Sequence, residues 1–175
     1  GDYANVASNV VTINKGNVGS AAALASVYGG YVRKTGAATK NIVNVIGGSV
    51  TSYLYGGYSV SGIAGGSAAA DGNKVNIGSS TSGTFTVSGS VYGGYSKAKG
   101  SADASVDAAV NNQVTIDSAN ASVSGEIYGG YAAGDYANVA SNVVTINKGN
   151  VGSATALASV YGGYVEKAGA ATKNT

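Results

Sequence analysis

Several residue types that usually carry chemistry are missing from this chain. It has 175 residues and contains no Cys, His, Met, Trp or Pro. Without Cys there is no disulfide framework and no thiolate ligand. Without His the commonest general base and metal ligand is missing, so the usual nucleophilic triads cannot be built. The sequence therefore predicts no catalytic residue, no metal site and no cofactor.

Charge and long apolar runs are also scarce. Charged residues make up 10% of the chain and the formal net charge is +2, which is too small to predict a nucleic-acid partner. No apolar run reaches the roughly 18 residues that a membrane helix needs, so no membrane insertion is expected. Four acidic residues (Asp103, Asp107, Asp117 and Glu126) lie close together in sequence, but a solvated loop explains them more simply than a catalytic pair.

What the chain does contain is a double repeat. Tyr-Gly-Gly-Tyr occurs five times, each time after an aliphatic residue, and begins at Tyr28, Tyr55, Tyr92, Tyr128 and Tyr161. A second signature, Asn-x-Val-x-Ile/Val, alternates with it and begins at Asn9, Asn41, Asn73, Asn112 and Asn142. Such internal periodicity is the signature of repeat architectures.

A longer sequence period is superimposed on the repeat. Residues 1–40 match residues 134–173 at an offset of 133, with only Ala22/Thr155, Arg33/Glu166 and Thr35/Ala168 differing. We expect one segment over residues 1–175, cut from a longer rod. Its units are 1–31, 32–58, 59–95, 96–131 and 132–164, and 165–175 begins the next. The opposite charges at Arg33 and Glu166 indicate a solvated loop there.

The second signature predicts strands. Val and Ile alternate with polar residues, so the apolar side chains share one face. Each unit would bury that face by stacking on the next, with equivalent residues about 4.8 Å apart. The sequence therefore predicts an all-β, parallel β-solenoid (β-helix) with about one coil per Tyr-Gly-Gly-Tyr repeat. Two shorter coils per repeat is the rival arrangement.

The two signatures have expected places in the coil. The asparagines should form an amide-to-amide ladder, and they tolerate the left-handed backbone that a corner often needs. Gly-Gly is expected at a second corner or a bulge. Alternation points the first Tyr of each motif outward. These tyrosines form either a stiffening aromatic ladder or a surface stripe that binds a host or surface glycan or a neighbouring rod.

Val-Tyr-Gly-Gly-Tyr, a Gly/Ala-rich loop and Asn-x-Val-x-Ile together resemble the repeats in secreted passenger regions of bacterial autotransporter-type surface proteins. The resemblance covers essentially the whole chain, and it implies a β-helical stalk or adhesin at the cell surface. The expected function is thus a non-enzymatic structural or adhesive rod, extracellular, that self-associates end to end or laterally. Ice binding on a Thr array, or binding or cleavage of polysaccharide, remains the alternative.

Overall fold

A computed structural model describes residues 3–78, 84–153 and 155–175. The chain winds into a solenoid whose three parallel sheets run along its axis. The alanine sheet, which comes first in each coil, consists of Val6–Ala7, Ala38–Thr39, Ala64–Gly65, Val106–Val110, Ala137–Ala140 and Ala171–Thr172. A short 3-10 turn, Ala69–Asp71, precedes the third asparagine signature.

The valine sheet follows in each coil and has two arms. Its first arm holds Val10–Ile13, Ile42–Val45 and Lys74–Ile77, and its second arm holds Asn17–Val18, Gly48–Val50 and Phe85–Val87. The long strands Gln113–Val123 and Val143–Val151 belong to both arms. The tyrosine sheet closes each coil with Val27–Val32, Leu54–Ser59, Val91–Ser96, Ile127–Ala132 and Val160–Val165.

Strand register confirms one coil per repeat. Tyr28 pairs with Tyr55, Tyr55 with Tyr92, and the same pairing continues through Tyr128 to Tyr161. The described residues thus form five coils, numbered one to five by their tyrosine motifs, and the start of a sixth. In the two-coil arrangement each tyrosine motif would have paired with an asparagine signature, and it does not.

Val and Ile columns fill the interior. Val43, Val75 and Val114 stack in register and are fully buried. One large side chain is accommodated by small neighbours, because Phe85 pairs with Gly48 on one side and Ala121 on the other. A second, smaller cluster of alanines and Val139 lies under the alanine sheet.

The corner before the asparagine signature is left-handed in every described coil except the third, where Gly72 before Asn73 is extended with a φ of −64°. The left-handed residue is also not the asparagine itself, so that expectation is wrong. The residue preceding the ladder asparagine has φ between 53° and 61° at Ser8, Lys40, Asn111, Ser141 and Lys173. The asparagine comes directly before the strand of the valine sheet, and its side chain lies in the interior. Among the described residues, none lies in a helix with the length and hydropathy of a membrane-spanning segment.

Candidate functional site

The asparagine signatures form one interior column along the rod. Each side-chain Nδ2 donates to the Oδ1 of the asparagine in the next coil over 2.9–3.0 Å. The column contains Asn9, Asn41, Asn73, Asn112 and Asn142, and it continues to Asn174. Asn174 stands in the same place as Asn41 one 133-residue period earlier, so the sequence contained the signal for this sixth member.

Every polar atom of a buried asparagine in this column has a partner. Oδ1 of Asn73 accepts from the backbone N and the Nδ2 of Asn41, at 3.1 and 2.9 Å. Nδ2 of Asn73 donates to Oδ1 of Asn112 and to the backbone O of Ala38. An amide has two donors and one twice-accepting oxygen, so this arrangement satisfies it completely. The column therefore adds specificity of register without leaving a buried polar group unpaired.

The second glycine of each tyrosine motif packs on this amide column. A Cβ atom added to Gly57 or Gly94 would overlap the side-chain amide of Asn73 or Asn112, respectively. The first glycine is constrained as well, because a Cβ on Gly56 would overlap the backbone carbonyl of Gly93 in the next coil. Both glycines are required by close approach, and the two sequence signatures are therefore halves of one packing unit.

The glycine pair lies inside a strand and not at a corner, so the corner expectation is wrong. In a regular strand, residues three apart face opposite sides. Here Tyr28 and Tyr31 face the same outer side, with ring centroids 5.1 Å apart. Gly-Gly breaks the alternation in every motif, and a second outward column results. It consists of Tyr31, Tyr58, Tyr95, Tyr131 and Tyr164.

The two tyrosine columns stack continuously from coil to coil. In the first column, which contains Tyr28, Tyr55, Tyr92, Tyr128 and Tyr161, adjacent ring centroids are 4.8–5.2 Å apart and the rings lie within 8° of parallel. The second column has spacings of 4.9–5.2 Å. Within a coil the two rings meet edge to face, at 4.9–5.3 Å. Aromatic pairs favour both arrangements.

This stacking changes which tyrosines are accessible. Tyr55 and Tyr128 are only 8% and 5% exposed, so the first column is not continuously exposed, as the surface-stripe alternative would require. The second column is the more accessible one, and Tyr31 is 44% exposed. In both columns neighbouring rings cover each other's faces, which leaves ring edges and hydroxyl groups toward solvent. Sugars stack on aromatic faces, so the sides of these columns do not offer that platform.

Charged groups border the tyrosine columns. The Tyr128 hydroxyl donates to Glu126, and the Tyr131 hydroxyl donates to Glu166 over 2.9 Å. Lys97 Nζ lies 5.9 Å from the Tyr58 ring centroid. Glu166, which the sequence assigned to a solvated loop, is exposed but also holds a tyrosine hydroxyl.

Burial in the stack disfavours the phenolate form. It raises the pKa of Tyr92 to about 12. It also raises the pKa of Tyr128 and of Tyr131, and at these two residues the hydrogen bond to a glutamate adds to the effect. The pKa of Tyr55 is raised by burial and then by its tyrosine neighbours. The stacked arrangement therefore favours the neutral, protonated form of these tyrosine hydroxyls.

Lys40 and Lys99 form ion pairs away from the tyrosine columns. Lys40 contacts Asp71 at 3.0 Å, and Lys99 contacts Asp135 at 3.3 Å. Both pairs join neighbouring coils, and in each the lysine is more than half exposed and the aspartate partly exposed, so each contributes little to stability. Within residues 3–78, 84–153 and 155–175, no three His, Cys, Asp or Glu side chains come together in a way that would hold a metal ion.

The outer face of the valine sheet carries the polar column relevant to ice binding. Its members are in register and consist of Thr12, Asn44, Asn76, Thr115 and Thr145. Asn76 and Asn44 hydrogen-bond to each other over 2.9 Å. The column mixes two residue types, and part of its hydrogen-bonding capacity is used internally.

No protein-family model matches this chain, and neither a curated protein nor a solved structure matches it.

Proposed function

We propose that this chain is a non-enzymatic structural segment of an extracellular rod. The observation that carries the proposal is the continuity of the asparagine and tyrosine columns through all five coils. The asparagine and tyrosine side chains recur in every coil, and each packs against its equivalents in the neighbouring coils. A protein built this way gains length with every repeat.

Stability in such an array is local. Among the described residues, the strands of each coil pair only with strands of the coil before and the coil after. Stability is then a sum of coil and interface contributions, and length can vary without a change of fold. This property suits a stalk or fibre that holds something at a distance.

The extracellular location rests on the resemblance to autotransporter-type passengers, carried by Val-Tyr-Gly-Gly-Tyr and Asn-x-Val-x-Ile. Antibodies raised against the chain should label intact cells of the source organism or detect the protein in its culture medium. Labelling that requires cell lysis contradicts the location and leaves the rod architecture untouched.

Removal of one whole turn tests the structural role. Deleting residues 41–72 joins Lys40 to Asn73, so that Asn73 would stack directly on Asn9. The shortened chain should stay folded and lose about 4.8 Å of length. Circular dichroism and small-angle X-ray scattering measure the two effects.

A half-turn deletion is the matched control. Removing residues 57–72 puts the next asparagine signature out of phase with the column, and this variant should lose its structure. If the whole-turn deletion unfolds as completely as the half-turn deletion, the coils are not interchangeable units and the proposal fails.

A further inference from the structure

One corner of the solenoid is crossed by connections of two different lengths. The connection runs from the second arm of the valine sheet to the tyrosine strand. Eight residues lie between Val18 and Val27 in coil one, and the same number separates the equivalent valines of coil five. In coil two, only three residues separate Val50 from Leu54. Coils three and four match coil two.

The described residues at the centre of both long connections are exposed, 20–24 in coil one and 153 and 155–157 in coil five. Residues 20–23 form a tight turn held by reciprocal backbone hydrogen bonds of 2.8 and 3.1 Å between Ser20 and Ala23. A leucine directly follows this turn. Leu24 is 71% exposed in coil one, and its equivalent Leu157 is 100% exposed in coil five. An apolar side chain held out in water at the same place in each 133-residue block is a candidate contact point.

Coils two to four leave a recess between the two long loops. Because the coils stack in register, the loops stand four coil spacings apart, about 19 Å along the axis. The floor of the recess is formed by the short connections 51–53, 88–90 and 124–126. Tyr53 lies in this floor, is 43% exposed, and contacts the rings of Tyr55 and Tyr92 from outside the first column.

We propose that this corner is a lateral self-association surface, in which the long loop of one rod enters the three-coil recess of a second copy. Leu24 or Leu157 then packs on the coil-three connection 88–90 of the neighbour, next to Tyr53, whose ring contacts Tyr92 of that coil. The inference rests on the proposed structural function and deepens it, since it names the partner and the face that it uses.

A second copy is the partner that fits because its loops recur with the same period as the recesses. Any rod with this sequence presents one loop and one recess per 133 residues, so every block can engage at once and weak contacts add along the rod. The loops carry no charged side chain, and the short connections carry only Glu126. No like charges therefore oppose each other in the contact.

A two-fold arrangement satisfies both partners. With the rods antiparallel and the axis at coil two, coil one of each rod faces coil three of the other. Each Leu24 then enters the other's recess, which is the self-complementary geometry that two-fold dimers require. The same holds for Leu157 with the axis at coil four.

Disulfide trapping tests the contact directly, because the chain has no native Cys. Leu24→Cys would be mixed with a size-tagged Ser88→Cys variant, which puts the thiol on the recess floor in coil three. The control is Thr12→Cys, an exposed site on the outer face of the valine sheet. The Leu24–Ser88 pair should cross-link at least tenfold faster than the Thr12–Ser88 pair. Equal rates overturn the proposal.

Sedimentation of the full chain provides the second readout. Replacing both leucines, Leu24→Ser with Leu157→Ser, should weaken self-association at least tenfold while leaving thermal unfolding unchanged. Val10→Ser, which changes an exposed valine on the valine sheet, should alter neither. Self-association that persists at full strength in the double variant contradicts the proposal. If the rod stays folded but no disulfide trapping occurs, only the proposed interface is contradicted. If the whole-turn deletion unfolds, the proposed structural function is contradicted.

Discussion

At the scale of single residues, the buried asparagine is the most demanding member of the coil. Asn41, Asn73 and Asn112 are completely buried, and each satisfies its amide only through the amides above and below. A strand shifted by one residue would bury an unpaired amide, at a cost of about 1–3 kcal/mol for each group left without a partner. An aliphatic column would tolerate such slippage more easily. The asparagines thus fix the register that the valines alone leave loose.

Substitutions at two neighbouring residues test which side chains face the interior and which face solvent. Val75 is fully buried in the valine column, whereas the side chain of Lys74 points out of the sheet. Val75→Asp places an unpaired charge in the stacked interior and should destabilise the fold by more than about 4 kcal/mol. Lys74→Asp should cost less than about 1 kcal/mol. Urea denaturation measures both, and equal losses mean that the assignment of faces is wrong.

At the scale of elements, the tyrosine strand depends on a residue that directly precedes a strand of the valine sheet. Gly94 has no room for a Cβ because the Asn112 amide occupies that place. Removing the amide alone leaves the backbone N and Nδ2 of Asn73 and the backbone O of Ala64 without their partner. The two positions should therefore be energetically coupled.

A double-mutant cycle measures that coupling. Gly94→Ala and Asn112→Ala should each destabilise the chain by about 2 kcal/mol or more. In the double variant the new methyl group occupies the space vacated by the amide. Its loss should be smaller than the sum of the single losses by at least about 1 kcal/mol. Strict additivity in equilibrium unfolding contradicts direct packing of glycine on asparagine.

The tyrosine columns should make the fold sensitive to alkali. The pKa of Tyr92 is about 12 in the folded chain, against about 10 for an unfolded tyrosine. The folded state therefore holds its proton more tightly. This contribution to stability is complete below pH 10 and is lost as pH rises toward 12. The free energy of unfolding should fall over that window, in parallel with phenolate absorption.

Tyr92→Phe is the matched control for this alkaline effect. Phenylalanine keeps the stacked ring and removes the titrating hydroxyl, so the variant should lose less stability than the parent chain between pH 10 and 12. An unchanged slope in the variant shows that the alkaline loss comes from other groups.

The sequence predicts some elements better than others, for physical reasons. The Val-x-Ile alternation is a local rule, and the strands and their faces follow from it. The second tyrosine column does not, because Gly-Gly breaks that rule. The reason lies in the asparagine column, which is distant in sequence: Gly57 packs against Asn73. Exposure is equally non-local, since Tyr55 points outward and is buried by its stacked neighbours.

At the scale of the whole molecule, the stacked columns are the same in every coil and the remaining surface differs. The interior columns and the two tyrosine columns repeat in every coil, whereas the other outer positions follow the 133-residue period or vary. Arg33 and Glu166 occupy equivalent places with opposite charge, and Leu24 and Leu157 occupy equivalent places with the same side chain. Packing of the repeated columns therefore determines the rod architecture. The four-coil sequence period determines which coils carry the long loops that could contact a neighbouring rod.

The most direct test of this account is the axial rise per repeat, measured between spin labels. Thr12 and Thr145 are exposed members of one outer column, four coil steps apart, and Thr115 is three steps from Thr12. Because the chain lacks native Cys, Thr12→Cys can be labelled in turn with Thr115→Cys or Thr145→Cys and measured by pulsed electron spin resonance. One coil per repeat predicts backbone separations of about 14 and 19 Å. Separations near twice those values, or the lack of a constant increment from one coil to the next, contradict it.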